Sequence, residues 1–431
     1  MLKTFVNAWK IPDLRRKMIF TLIIVLLYRV GSAIPVPYVT GEIASGLSEY
    51  GIFAYLNLFT GGALERSTLF ALGVSPYITA QIVIQLLTIA IPALERLSKD
   101  GDAGRKKIDK ITRYVSIGLS VITAYGYYAL LNSYGVVNAD TFGVIVMIAC
   151  YCAGASLVMW LCERIDENGI GNGVSIILFV NIISGGRRIV ELIVSHIQDG
   201  KAANIICDAV SLVIMALVIA LIVFITNSER RIPVQYAKRV VGRKMYGGQN
   251  SNLPLKLNMA GVMPIIFASS ITALPSTIAA FTRTEPSLAK GATFWQKLVY
   301  ILTPNYHVVG VVIFLALLFA FSYFYIAISF NTVEVSNNLK KNGGFIPGIR
   351  PGKPTSDYVQ KVLNKITLVG AIFLAFIAGV PMIISLFAQE YFSAILALSG
   401  SSLLIVVGVA LETAHELESQ MAMRHYKGFL E

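Results

Sequence analysis

Ten apolar runs, each close to the roughly 20 residues an α-helix needs to cross a bilayer, decide what this chain of 431 residues can fold into. They cover residues 18–37, 69–90, 113–131, 142–161, 172–190, 206–225, 260–280, 308–328, 363–387 and 392–411, with polar loops between them. Only 14% of the residues are charged, against about a quarter in soluble domains, so most of the surface must face lipid. The basic, amphipathic stretch 1–17 enters the first run without a small-residue cleavage pattern, and the first helix is expected to be retained. The fold expected is an all-α integral membrane protein of ten transmembrane helices. Cys150, Cys152, Cys162 and Cys207 lie in or at the ends of spans with no second cysteine pair or nearby histidine. They read as small buried hydrophobes, and no metal or cofactor is expected.

With the N-terminus on the cytoplasmic side, ten spans return the C-terminus there, and most of the 36 Lys and Arg residues fall in the loops and tails of that face. A net charge of +12 concentrated on one face binds anionic lipid headgroups. Two loops exceed what topology needs: 226–258 and 329–362 are long, basic and punctuated by Gly and Pro. Such loops fit the docking of a large acidic or nucleic-acid-containing partner, although they hold no legible RNA-binding motif.

The segment 51–66, with Gly61-Gly62 inside it, is apolar enough to leave water but too short to cross the bilayer. It reads as a re-entrant helix beside a cavity that opens outward, or else as an interfacial helix on the outer surface. Gly73-Val74-Ser75-Pro76-Tyr77-Ile78 in the second span and Gly261-Val262-Met263-Pro264-Ile265-Ile266 in the seventh share a Gly-Val-x-Pro-x-Ile spelling. Interrupted spans of equal rank in each half are what a duplicated five-plus-five architecture leaves, with the site where the halves meet. Gly169-Ile170-Gly171-Asn172-Gly173 suits a tight loop entering the fifth span; no strand precedes it and no Lys follows, which argues against phosphate binding.

Polar residues at membrane depth are sparse: Gln81, Gln85, Asn181, Ser269 and Ser270. Mid-depth acids and histidines, on which ion-coupled transporters usually rely, are absent from the ten runs, which counts against a solute or ion transporter, the main alternative class. His196, His307, His415 and His425 include no pair at metal-ligand spacing, and there is no Gly-x-Ser-x-Gly elbow, so an intramembrane enzyme is disfavoured as well.

Several motifs in order along nearly the whole chain resemble the bacterial SecY family. They are Pro35-Val36-Pro37, Phe59-Thr60-Gly61-Gly62, the Gly73–Ile78 motif, Gly104-Arg105-Lys106-Lys107, the Gly169–Gly173 loop, Leu253–Val262, Asn338–Lys341, Pro347-Gly348-Ile349-Arg350-Pro351-Gly352 and Ser401–Val407. The resemblance implies two pseudo-symmetric five-helix halves, about 18–190 and 206–411, around a central hourglass pore that opens across the membrane and sideways into lipid. On matching positions its aliphatic ring is Val74, Ile78, Val174, Leu178, Ile266 and Ile405, a neck that dewets and offers no polar site selecting one polypeptide over another. The plug implied is a short helix near 52–66 carrying Phe53, Leu56, Asn57, Phe59, Gly61, Gly62 and Leu64. Helices two and seven imply a lateral gate with Gln85, Ser269 and Ser270 at its seam, and the basic loops imply docking through Arg243 and Arg350. Implied partners are SecE and SecG, the SecA motor ATPase, the ribosome, signal sequences and nascent polypeptides. The location implied is a bacterial cell inner membrane, with a cytoplasmic tail at 412–431 and any ATP hydrolysis left to the motor.

Overall fold

The computed structural model describes residues 2–39, 60–133, 135–198, 202–236, 239–241, 244–246, 250–281, 293–304, 307–387 and 400–427. Each of the ten apolar runs carries a helix. They are α2 (Pro12–Gly31), α3 (Ser75–Ala90), α5 (Gly101–Ser133), α6 (Thr141–Asn168), α7 (Gly173–Gln198), α8 (Ala202–Thr226), α9 (Met263–Phe281), α11 (Val308–Ser329), α13 (Lys353–Phe387) and α14 (Gly400–Lys427). Between them lie the shorter α1 (Leu2–Lys10), α4 (Pro92–Lys99), α10 (Phe294–Leu302) and α12 (Thr332–Lys341). Pro12 and Pro76 stand in the first turns of α2 and α3, where the N–H that proline lacks has no intrahelical acceptor. Pro92 acts in the opposite sense: α3 stops before it and the chain bends by 105° into α4.

Among the described residues, α5, α6, α8, α11 and α13 contain stretches long and apolar enough to cross a membrane unaided, and the bent pair α3–α4 makes a sixth. The other runs are diluted or shortened: α2 opens with Asp13, Arg15, Arg16 and Lys17, and the apolar parts of α7 and α9 cover only Gly173–Arg187 and Met263–Ala279. The chain is a multi-pass membrane protein. On α8, Val213, Leu217 and Phe224 are each more than 60% exposed, a surface that only lipid or a neighbouring apolar helix can cover.

At the centre lies one large apolar cluster drawn from α2, α3, α6, α7, α8, α9, α11, α13 and α14. A second cluster joins Val36, Ala71 and Leu72 to Tyr127, Leu131, Met147 and Tyr151 on α5 and α6.

The two long basic loops, read from sequence only as loops, fold together into a small sheet. Strand β1 (Glu229–Tyr236) pairs antiparallel with β4 (Asn250–Lys256), Ile232 opposite Leu253. On its other edge β1 receives β5 (Gly344–Phe345) from the second loop, Gln235 opposite Phe345. Strands β2 (Arg239–Val241) and β3 (Lys244–Tyr246) form a separate hairpin beyond. Ile232 and Val234 are buried between exposed neighbours, and with Leu255 and Ile346 they pack on Ile326, Val359, Leu363 and Ile366. The two-residue period was hidden because the outward positions, Arg231 among them, gave the segment the look of a charged loop.

Candidate functional site

Four helices bring the six aliphatic ring candidates into a single buried cluster. Val74 caps α3 and Ile78 lies one turn on; Val174 and Leu178 occupy the first two turns of α7; Ile266 is on α9 and Ile405 on α14. None of the six is more than 5% exposed. Three of these helices begin beside a break in the chain close to their ring residues: turns precede α3, the Gly169–Asn172 loop precedes α7, and a turn with Gly261 at φ +63° precedes α9. The glycines and prolines that interrupt the spans thus end the non-helical backbone at the level of the ring. Such backbone is tolerated at membrane depth only where protein or a water-filled cavity surrounds it.

Beside the ring the chain from Gly61 to Val74 runs through successive turns into α3. Of the plug candidates, Gly61, Gly62 and Leu64 lie on this stretch, whereas Phe53, Leu56, Asn57 and Phe59 fall outside the described residues. Gly61 adopts φ +64°, and a methyl group on it would stand 2.8 Å from Asn181 Oδ1 on α7 and 3.1 Å from Arg29 Nη1 on α2, so the turn is seated against both helices. Asn181 donates to the Tyr28 hydroxyl at 2.9 Å, Arg29 donates to the Val180 carbonyl, and Tyr28 stacks on Phe70. On the far side Tyr127 of α5 donates to the Leu64 carbonyl at 2.5 Å. Its proton being committed there, the Ser67 hydroxyl 3.0 Å away must be the donor to Tyr127. Two short backbone links, Val36 N–H to Ser67 O and Leu69 N–H to Ile34 O, tie the same turns to the end of α2.

The remaining candidates are dispersed. Gln85 is half-buried on α3, which packs against α9. Ser269 is buried on α9, and Ser270 donates to the Ile266 carbonyl one turn back at 2.8 Å. Arg243 lies outside the described residues. Arg350 is exposed on a turn fixed from behind: its own carbonyl accepts from Thr355 Oγ1, the Gly352 carbonyl accepts from Ser336 Oγ, and Gly348 and Gly352 take φ +80° and +101°. Tyr127 and the Tyr28–Arg29–Asn181 group were missed as a unit. In sequence Asn181 stands out only as a polar residue at membrane depth, and no spacing rule joins it to Tyr28 and Arg29 about 150 positions away.

A family model described as SecY matches residues 68–414. The chain belongs to the SecY family. Among its SecY relatives, the "Protein translocase subunit SecY" of Streptomyces galbus and that of Mycobacterium bovis are each 42% identical to it over the full length of both chains. Solved structures share the SecY fold at lower identity. One, of a protein-conducting channel, is 18% identical with a TM-score of 0.72, covering 94% of this chain and 92% of that one. Another, Sec61 in a canine ribosome–channel complex from the endoplasmic reticulum, is 16% identical with a TM-score of 0.68 and the same coverage. The helical fold of SecY channels is therefore the fold of this chain, and SecY proteins are channel subunits rather than enzymes.

Proposed function

We propose that the chain is the pore-forming subunit of a Sec protein translocase, conducting unfolded, signal-bearing polypeptides across a membrane and releasing apolar helices sideways into lipid. The observation that carries the reading is the convergence of Val74, Ile78, Val174, Leu178, Ile266 and Ile405, from four helices, into one buried aliphatic cluster beside a glycine-rich turn. An aliphatic neck excludes ions by dewetting yet parts for any extended polypeptide. Segment 52–66 is the plug, α3 and α9 are the two sides of the lateral gate with Gln85, Ser269 and Ser270 near its seam, and the transfer of apolar surface from pore to lipid drives release. The sheet packs on the start of α13, and the basic charge of these loops marks that end as the cytoplasmic face of a bacterial inner membrane, with both termini there. SecE and SecG cover apolar helix faces, SecA and the ribosome dock on the sheet and on Arg243 and Arg350, and anionic lipids neutralise the surrounding charge.

A photocrosslinking residue at Ile266, with a second chain carrying the probe at lipid-exposed Ile122 of α5, tests the reading in membranes supplied with SecA, ATP and an arrested precursor. Precursor crosslinks at Ile266 that disappear when the signal is deleted are expected. Equal labelling at both positions, or none with an active motor, would return the transporter alternative to first place.

Arg350→Glu is expected to lower motor-driven translocation at least about tenfold, because it reverses a charge held in fixed direction at a docking surface. The melting temperature should stay within about 1 °C, since the side chain is exposed and its turn is held through backbone carbonyls. Unchanged translocation would remove Arg350 from the docking surface.

A further inference from the structure

Helix α10 has no part in the channel reading. It links the end of α9 to the start of α11, and both of those helices have their other ends at the sheet, since β4 leads into α9 and α11 is followed by α12 and β5. Helix α10 therefore stands at the membrane face opposite the sheet.

Two apolar stripes run along α10, where a helix on an aqueous surface needs only one. Trp295, Val299 and Leu302, at helical spacing, form the inward stripe: Val299 is completely buried, and the helix packs on both α9 and α11. Phe294, Leu298 and Ile301 repeat that spacing one position earlier and form a second stripe. Phe294 is 78% exposed, Leu298 and Ile301 are half-buried, and Lys297 is the exposed charge beside them. A stripe of this kind leaves water for whatever apolar surface lies next to it.

The depth of α10 follows from α11. That helix has 22 residues, none of them charged, and at about 1.5 Å each they span about 33 Å, close to the roughly 30 Å hydrocarbon layer. The first turn of α11 thus marks the hydrocarbon boundary opposite the sheet, and there Val308, Val309 and Val312 are exposed. Helix α10 is pressed onto this turn. A methyl group on Gly310 would stand 2.6 Å from the Thr303 carbonyl carbon, while Thr303 Oγ1 donates to the Val299 carbonyl at 2.7 Å, so the end of α10 lies level with Gly310. The Tyr300 and His307 rings meet at 6.1 Å between centroids. At the opposite end Gln296 Oε1 accepts from the Thr293 N–H at 2.8 Å, which fixes the start of the helix just before Phe294. Aromatic side chains and a lysine held at this depth suit a boundary that is apolar on one side and wet on the other.

We propose that α10 is an interfacial anchor: the stripe of Phe294, Leu298 and Ile301 lies against phospholipid acyl chains at the membrane boundary opposite the sheet, and Lys297 reaches the lipid phosphates. The occupant of the stripe is lipid rather than a protein partner, because the residues next to it, Val308 and Val309 of α11 and Ile278 of α9, are themselves exposed at a level where the chain meets lipid. Since α10 packs on both helices, its seat in the lipid holds their ends at one depth. The anchor requires only that the chain spans a membrane, so its failure would leave the channel reading standing.

The test uses the full-length chain with its copurifying subunits in vesicles of phosphatidylethanolamine and phosphatidylglycerol. A spin-labelled unnatural amino acid is placed singly at Phe294, at Leu298, at lipid-exposed Ile122 of α5 and at exposed Arg350. Power saturation of the electron resonance signal compares collisions with oxygen, which concentrates in lipid, and with a water-soluble nickel chelate present on both sides of the membrane. The oxygen-to-nickel ratio at 294 and 298 is expected to approach that at Ile122 and to exceed that at Arg350 at least about fivefold. A ratio at either position no higher than at Arg350 would put the stripe in water and overturn the anchor. Exclusion of both reagents would mean that a subunit or a second copy covers the stripe, and would overturn it equally.

Phe294→Gln, with the label at 298, should lower the ratio there at least about twofold, because the helix loses the most exposed part of its apolar face. The melting temperature should stay within about 1 °C, since the ring it removes makes little contact with the protein. An unchanged ratio would mean that α9 and α11 alone hold the helix in place and would overturn the anchoring by lipid.

Discussion

Ile266→Asp is expected to turn the resting channel into an ion leak. Ile266 is 2% exposed within the aliphatic cluster, so the new carboxylate has no partner among its neighbours and can keep its charge only by drawing in water. An unpaired buried charge costs several kcal/mol, enough to outweigh the packing of one side chain and to wet the neck. Because an apolar constriction excludes ions by remaining dry, resting conductance in a planar bilayer should rise at least about tenfold, and cells expressing the variant should lose their membrane potential. Conductance no higher than wild type, in protein that has folded and inserted, would mean that Ile266 is ordinary packing and that the ion barrier lies elsewhere.

Gly154→Ala is expected to destabilise the fold strongly, although it adds one methyl group to a helix. Gly154 faces the turn that leads into α3, and a β-carbon there would stand 1.9 Å from the Leu69 carbonyl oxygen and 2.9 Å from its carbon. Both are backbone atoms, so no side-chain rotamer can relieve the clash. The turn is also pinned by the Leu69 N–H bond to Ile34 and by the Tyr127 hydroxyl on Leu64, so α6 must move instead. Overpacking costs ~1–3 kcal/mol where side chains can adjust and more where they cannot. Steady-state levels should fall several-fold and the purified remainder should melt earlier. Gly118→Ala on α5 is the control: nothing lies within 4 Å of the added methyl, and a helical Gly to Ala change is neutral or stabilising by ~0.5–1 kcal/mol. If the two variants behaved alike, the close approach of α6 to the turn would be wrong.

The helices were legible because lipid imposes a length and a composition that survive in a single sequence. Every apolar run from 18–37 to 392–411 contains a helix, and the Gly/Pro interruptions at 73–78 and 261–266 lie where α3 and α9 begin. The ring was legible only through the resemblance to a known family. Ile78 and Ile82 are both buried aliphatic residues on α3, and periodicity alone cannot tell which of them faces a pore. The sheet was not read at all, since short strands rich in Arg and Lys carry no apolar run and β5 is two residues long.

What a sequence hides most completely is the polar contact between distant positions. Glu416 follows Gly171 by 245 residues, Asn181 follows Tyr28 by 153, and Tyr127 reaches back 63 to Leu64. Each residue looks unremarkable in its own window: a glutamate after an apolar run, an asparagine inside one, a tyrosine near its end. Their placement depends on how helices pack, and a local reading does not contain that information. The Gly169–Gly173 spelling is the partial exception, because its glycines announce a tight turn and close packing without naming what packs there.

The pairing of β5 onto β1 has a mechanical consequence. Strand β1 continues from α8, β4 leads into α9, and β5 lies between α12 and α13, so the sheet welds the roots of four helices into one stiff handle. A load applied anywhere on that handle reaches α9 without first bending a loop. Among the described residues the helices before α8 contribute no strand to this sheet, so the same load acts on one leaf of the molecule and leaves the other still, which is how a lever works a hinge.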